Sequence, residues 1–460
     1  MPYHGINYTS IPPLERIAVE LASVSNCGMI TPIMWPSYRS TSHGIRHLLA
    51  GIAFLLLSAS CTQTPATLAR VEEAARLSPP TQRPTITKGP TLQVSPTTMA
   101  PPPTTTLTRT PRPTETATAI APLIIRIGPD DFPFYVNPLT GLVPSNPLNL
   151  DRRPIAVKIP NAPHSVHDRQ FGLSLADHIF EYHLEWGLTR FVGIFYGNDA
   201  VKIGPIRSGR IFDAQIMDMY NAILVFNGAD QRVIDYFKEI EQDFDLFVVE
   251  RQCPPTCRDE NFSPPNNLYS NTTLIHDYIR GHGTDDSRPD LASNYFYSLG
   301  APSWNGIQRI YIYYSYASYA YWAFDSQQNR YIRYQGSVDL IGEQEEVFEI
   351  LYDRLTEEPI TVDNVVVLFA SHKFFHHSSD TEVFSIDLTG RGEAYIFRNG
   401  KAYEAIWERR ETYKPLSLLN PDGTPFPLKP GVTFFQIVHT TSTITKEDHD
   451  WTFTFVRPDE

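Results

Sequence analysis

Between Cys61 and Pro122 the chain cannot build a core. The stretch "SPPTQRPTITKGPTLQVSPTTMAPPPTTTLTRTPRPTETATA" is proline and threonine with almost no aromatic side chain. Such a composition buries too little apolar surface to offset the entropy of an ordered backbone, so the tract stays extended and solvated. Roughly 60 residues at about 3.1 Å each reach well over 100 Å when stretched. The tract, 62–122, reads as a stalk, and material for a packed core begins only after it.

The segment before the stalk, 1–61, reads as a leader. Residues 48–57, "LLAGIAFLLL", are an apolar run that follows Arg39 and Arg46 and precedes small residues and Cys61. The run is too short for an ordinary transmembrane helix, which takes about 20 residues. A basic region, a short apolar run and a small-residue cleavage site make a secretory signal. Cys61 directly after "SAS" resembles a bacterial lipobox, in which that cysteine is lipidated and becomes the new N-terminus. The expected location is the extracytoplasmic face of the cell membrane, with the membrane as partner through a lipid anchor. Residues 1–33 lack signal character, and Met34 is an alternative start.

The remainder is about 335 residues, room for two ordinary domains. The expected fold class is α+β, a mixed α/β sheet domain over 123–300 followed by a mostly-β domain over 301–460. The formal charge of −13 argues against nucleic acid, whose binding rests on cationic surface. Of four cysteines, Cys253 and Cys257 in "RQCPPTCRDE" remain once Cys27 and Cys61 are assigned to the leader and the lipid. In an extracytoplasmic chain this pair reads as a local disulfide, since no second pair completes a zinc site.

In the first domain, 154–159 is an apolar strand candidate. "DHIFEYHLEWGLTRFVGIFYGND" then alternates, with Phe180, Tyr182 and Leu184 on one face and Glu181, His183 and Glu185 on the other. Trp186-Gly187 turns the chain, and 188–196 returns as a more buried strand. The polar face of the first strand reads as solvated, with an acid/base set or a weak metal site as the alternatives. Next comes "KIGPIRSGR", 202–210, three cations on a Gly-Pro bend. Ser208 is placed to cap a helix with Phe212, Ile216, Met219 and Tyr220 on its apolar face, which leads into the interior strand 222–226. Strand, loop, helix and strand predict a crossover unit with 191–196 and 222–226 parallel. That geometry brings the loop 197–210 to one edge with Asn227, Asp230, Asp177 and His178, and Asn161 as well if 154–159 is parallel. Glu185 and Arg190 are expected towards the opposite end.

In the second domain, "RIYIYYSYASYAYWAFDSQQNRYIRYQG", "NVVVLFA", "GEAYIFRNGKAYEAIWERR" and "PDGTPFPLKPGVTFFQIV" are strand and turn signals with little helix. "SHKFFHHSSD", with His372, His376 and His377, reads as a loop rather than a metal site. The tyrosines at 311–321 suit strands, with stacking on sugar rings as the alternative. The succession "NPLTGL", "RPIAVKI", "LSLADHIFEYHLEWGLTRFVGIF", "KIGPIRSGR" and "GKAYEAIW" to "DGTPFPLKPGVTFFQIV" resembles the YerB-like bacterial lipoprotein family over about residues 137–457. That resemblance implies an envelope protein of two domains of unknown function. It implies no reaction.

Lys202, Arg207, Ser208 and Arg210, facing Asn227, Asp230, Asp177 and Asn161, form the candidate site. Free N–H groups at a helix start and planar guanidinium donors favour phosphate or carboxylate. The competing reading is that these cations tie down the protein's own carboxylates. No G-x-S-x-G, H-E-x-x-H, P-loop or Rossmann fingerprint stands in 137–460, so neither a cofactor nor a metal is expected. The leading expectation is a membrane-anchored protein that binds an anionic envelope polymer or glycan. The alternatives are an envelope phosphotransferase or hydrolase acting on a phosphate-linked glycan or lipid carrier, and a structural or partner-binding scaffold. The layout also resembles the LytR-CpsA-Psr phosphotransferases, which carry an acidic residue beside the key arginine where this chain has Ser208-Gly209.

Overall fold

The computed structural model describes residues 125–460 apart from 241, 244–245, 250–252, 300–303, 343 and 460. The expected leader at 48–57, the lipidated Cys61 and the stalk at 62–122 lie outside the described residues.

Helices and strands separate along the chain as an α+β protein requires. The first part holds β1 (Ile155–Pro160), β2 (His178–His183), β3 (Thr189–Phe195), α1 (Ile211–Tyr220), β4 (Ile223–Val225), α2 (Gln231–Glu239), β5 (Phe247–Val248) and α3 (Thr272–Gly281). The second part is strands: β6 (Trp304–Asn305), β7 (Arg309–Ser315), β8 (Ser318–Asp325), β9 (Arg330–Gly336), β10 (Phe348–Ile350), β11 (Asn364–His377), β12 (Glu382–Asp387), β13 (Gly390–Arg398), β14 (Lys401–Arg409), β15 (Ser417–Leu419), β16 (Thr433–His439), β17 (Thr443–Lys446) and β18 (Asp450–Thr454).

Among the described residues one sheet of twelve strands runs β6-β14-β13-β11-β16-β2-β3-β1-β4-β5, with β12 beside β11 and β15 beside β14. Strands of the second part form one half of it and strands of the first part the other, joined where β16 pairs parallel to both β11 and β2. A seven-stranded sheet, β10-β9-β8-β7-β18-β17 with Thr361–Val362 beside β9, covers one face of this sheet. Trp322 meets Phe434 at 4.8 Å, and Phe397 meets Trp451 at 5.4 Å, across that interface. On the other face α1 packs Phe212 against Tyr182 at 4.9 Å and Tyr220 against Phe180 at 6.0 Å.

Two expectations fail here. β2 has no solvated face: all six residues are buried, because Phe180 and Tyr182 turn to α1 while Glu181 and His183 turn to the second sheet. His183 stacks on Phe455 at 4.4 Å. The loop expected around His372, His376 and His377 is the far end of the long strand β11. A second layer covers the polar face of β2, whereas the end of β11 is a strand because β12 pairs along it.

The crossover unit also fails. β1 lies between β3 and β4, antiparallel to β3 and parallel to β4, so the strands expected to be parallel point in opposite directions. This reversal decides which side chains share the edge.

Candidate functional site

Residues 202–210 run extended, and their backbone bonds fix what they face. Ile203 and Ser270 exchange bonds, and Ile206 N donates to Leu268 O at 2.7 Å. Further on, Arg207 N donates to Lys158 O, Asn227 N to Arg207 O and Gly209 N to Gly228 O, each at 2.9 Å. The segment therefore lies across the carboxyl ends of β1 and β4. Gly204 holds φ +139°, and a Cβ there would stand 2.9 Å from Leu268 O. A side chain would push the strap off its neighbours.

Ser208 does not cap α1. Gly209 is held out along Gly228, so the helix starts two residues later, with Arg210 at the cap position and its N–H donated to Asp213 Oδ2 at 2.7 Å. Beneath this start lies Lys158, closed to solvent. Its ammonium donates to Asp213 Oδ1 at 2.9 Å and meets the Tyr182 hydroxyl. Burial pushes Lys158 down to about 7, against the opposing pull of Asp213. The cluster ties α1 to β1 and β2, with the side chains of Lys158 and Asp213 closed to solvent.

The three cations of the strap part company. Lys202 is tied to Asp259 Oδ2 at 2.6 Å and lies 4.0 Å from the Phe171 ring. Arg210 holds both oxygens of Glu185, through Nε at 2.8 Å and through Nη2. Arg207 is the exception: its buried Nε has no hydrogen-bond partner, and among the described residues no carboxylate pairs with it. Burial and the charge of Arg190 both push Arg207 down from the usual guanidinium range. Arg190, 8 % exposed, spends one Nη on Ser208 O at 2.7 Å and is likewise pushed down by burial. Two cations thus stand together without an ion pair to either among the described residues, although the charge of Asp213 acts on Arg190 from beneath.

The other expected members are placed as follows. Asp177 is at the far end of the sheet, where the reversal of β3 puts it. Its carboxylate accepts from Tyr196 N at 2.7 Å, Gly197 N at 2.8 Å and Asn137 Nδ2 at 3.0 Å. Burial pushes it up to about 6, those hydrogen bonds opposing. His178 shares that end, bonded to Tyr220 and Leu139 O. Asn161, just past the end of β1, spends its amide on Glu181 and Thr189, each at 2.9 Å. Asp230 caps α2 and pairs with Arg232. Glu185 and Arg190, expected at the opposite end, stand at the edge itself, because the β2–β3 hairpin turn points to the same side as the carboxyl ends of β1 and β4.

That turn builds the site. A cleft of about 360 Å³ is lined by Arg190, Arg207, Trp186, Tyr316, His164 and Asp339, among others. Trp186 is 48 % exposed and Tyr316 54 %. Trp186 holds φ 60° and ψ 25°, a left-handed conformation that is a genuine outlier for a bulky residue and costs on the order of 1–3 kcal/mol. Its N–H is held by Glu382 Oε2 at 2.9 Å, and Glu382 is itself held by Arg457 at 2.6 Å. Gly187 O accepts from Ser315 Oγ at 2.5 Å on the other side. His164 donates through Nε2 to Asp339 Oδ1 at 2.9 Å, while its buried Nδ1 has no partner. A second cleft of about 440 Å³ shares Trp186 and holds Ser208, Arg210, Asn227, Asp230 and Glu382. Trp186 is the partition between the two. The "EWG" turn was the available sequence signal for it, but its placement depends on the strand order.

Cys253 and Cys257 are joined in a disulfide with Cα atoms 4.6 Å apart. Among the described residues no group of three or more His, Cys, Asp or Glu side chains is placed to hold a metal ion, and no helix is long and apolar enough to cross a membrane.

Comparison with known proteins follows the same division of the chain. Residues 139–285 match the family described as "Protein of unknown function (DUF3048) N-terminal domain", and residues 310–435 match its C-terminal domain. The chain is 26% identical over 316 residues to "Putative lipoprotein YerB" of Bacillus subtilis (strain 168), across 65% of this chain and 85% of that protein. The crystal structure of the YerB protein from Bacillus subtilis superposes with a TM-score of 0.54 at 24% identity, over 66% of this chain and 96% of that one. With both domains present in order and the fold shared, this chain belongs to the YerB-like family of DUF3048 proteins.

Proposed function

We propose that this protein is anchored through a lipid on Cys61 at the extracytoplasmic face of the membrane and binds an anionic envelope polymer or glycan there. The matched Bacillus protein bears the name "Putative lipoprotein YerB", and residues 48–61 read as a leader that ends in a lipid-accepting cysteine. The binding reading rests on one observation: Arg207 and Arg190 line an open cleft, and among the described residues no carboxylate forms an ion pair with either, the cleft's own Asp339 being held by His164. A buried or half-buried cation is ordinarily paired, so an unpaired couple is a place where an anion is favoured.

The scaffold reading draws on Lys202 and Arg210, which are consumed by Asp259 and Glu185. Thermal melts in rising inorganic phosphate, at constant ionic strength, separate the two. Binding raises the melting temperature of the wild type and leaves that of Arg207→Gln unmoved. Equal responses in both proteins, or none in either, leave only the scaffold.

A further inference from the structure

The cleft holds more than cations. Two exposed aromatic rings, Trp186 and Tyr316, stand in its wall, and the polar pair His164 and Asp339 stands beside them. Inorganic phosphate would use the guanidinium groups and leave the rings idle. Trp186 is, moreover, held in a left-handed backbone conformation by Glu382 on one side of its turn and by Ser315 on the other. A large exposed side chain kept in an unfavourable backbone state is a mark of a functional constraint.

The apolar face of a sugar ring packs on an indole, and its hydroxyl groups need donors and acceptors at the ring's edge. Asp339, held by His164 Nε2 at 2.9 Å, supplies an acceptor that is 47% exposed. The cleft volume of about 360 Å³ falls at the small end of ordinary ligand sites. It suits a monosaccharide with one acidic group. The neighbouring cleft, which shares Trp186, gives a longer chain room to continue.

We infer that the ligand of this site is a phosphorylated sugar, alone or within a polymer, with its phosphate between Arg190 and Arg207 and its ring against Trp186. The inference rests on the anion-binding reading above and adds the sugar to it.

Calorimetric titration of the full chain with N-acetylglucosamine 1-phosphate, inorganic phosphate, N-acetylglucosamine and uridine monophosphate tests it. The sugar phosphate is expected to bind at least tenfold more tightly than phosphate, and the neutral sugar only weakly. Trp186→Ala should remove most of that tenfold advantage while phosphate binding persists, and Tyr316→Ala should reduce it. Equal affinity for phosphate and sugar phosphate, or no effect of either aromatic substitution, overturns the sugar assignment and leaves the anion site standing. Tighter binding of uridine monophosphate overturns it in favour of a stacked base. No binding of any phosphate removes both readings together.

Discussion

Glu181 on β2 and Arg333 on β9 meet inside the protein, Oε2 to Nη2 at 2.8 Å, with both side chains closed to solvent. The carboxylate also accepts from Asn161 at 2.9 Å and Thr189 at 2.8 Å. The guanidinium lies within 5.0–5.3 Å of the Phe191, Trp322 and Phe434 rings. The pair links the two sheets, as does Tyr314, whose hydroxyl donates to Glu181 O at 3.0 Å.

Removing one partner of such a pair leaves an uncompensated buried charge. Arg333→Met is expected to lower the unfolding free energy by about 3–5 kcal/mol. Glu181→Gln with Arg333→Met should cost clearly less than the sum of the single changes, since no bare charge remains. Urea denaturation measures both; strict additivity would show that the pair does not act as a unit.

How much of this was legible varies with the range of the interaction. The β2–β3 hairpin could be read from its alternation and its Trp-Gly turn, and α1 from the spacing of Phe212, Ile216, Met219 and Tyr220, because those signals are local. The Asn399-Gly400 turn between β13 and β14, with φ 54° and 66°, was legible for the same reason. The insertion of β1 between β3 and β4 was not, since pairing across distant residues leaves no local trace. That single error moved Asp177 into the expected site and moved Glu185 and Arg190 out of it. The burial of Glu181 and His183 was hidden likewise, because the covering strands β7, β9 and β18 lie more than a hundred residues away. Lys202, Arg207 and Arg210 could be picked out together; that only Arg207 stays without a carboxylate depends on where Asp259 and Glu185 arrive.

The disulfide of Cys253 and Cys257 closes a very short loop, whose backbone Ser270 also holds through Pro255 O at 2.7 Å. So small a loop removes little unfolded-state entropy, and its reduction should cost about 2 kcal/mol or less. Peptide mapping without reductant is expected to find the two cysteines joined in one peptide. A larger loss of stability on reduction would assign the bridge a role beyond its loop.

Asp177 carries a pH signature. Its folded pKa is raised to about 6 from an ordinary 3.8, so between those values the native state binds more protons than the unfolded chain. The group's contribution to stability is therefore fully present below pH 4 and is lost as the pH rises to about 6. In Asp177→Asn that dependence disappears, and the stability of the variant relative to wild type should improve steadily from pH 4 to 6. Parallel pH profiles for the two proteins would contradict the raised value.

The central claim is that Arg207 and Arg190 form an anion site while Lys202 and Arg210 are internal ties. Crystals soaked in tungstate, a heavy tetrahedral anion, locate such a site directly through anomalous scattering. A strong peak is expected within hydrogen-bonding reach of the Arg207 guanidinium, in the cleft beside Trp186, absent from Arg207→Gln crystals. A peak only at Lys202 or Arg210, or none in that cleft at saturating tungstate, would contradict it.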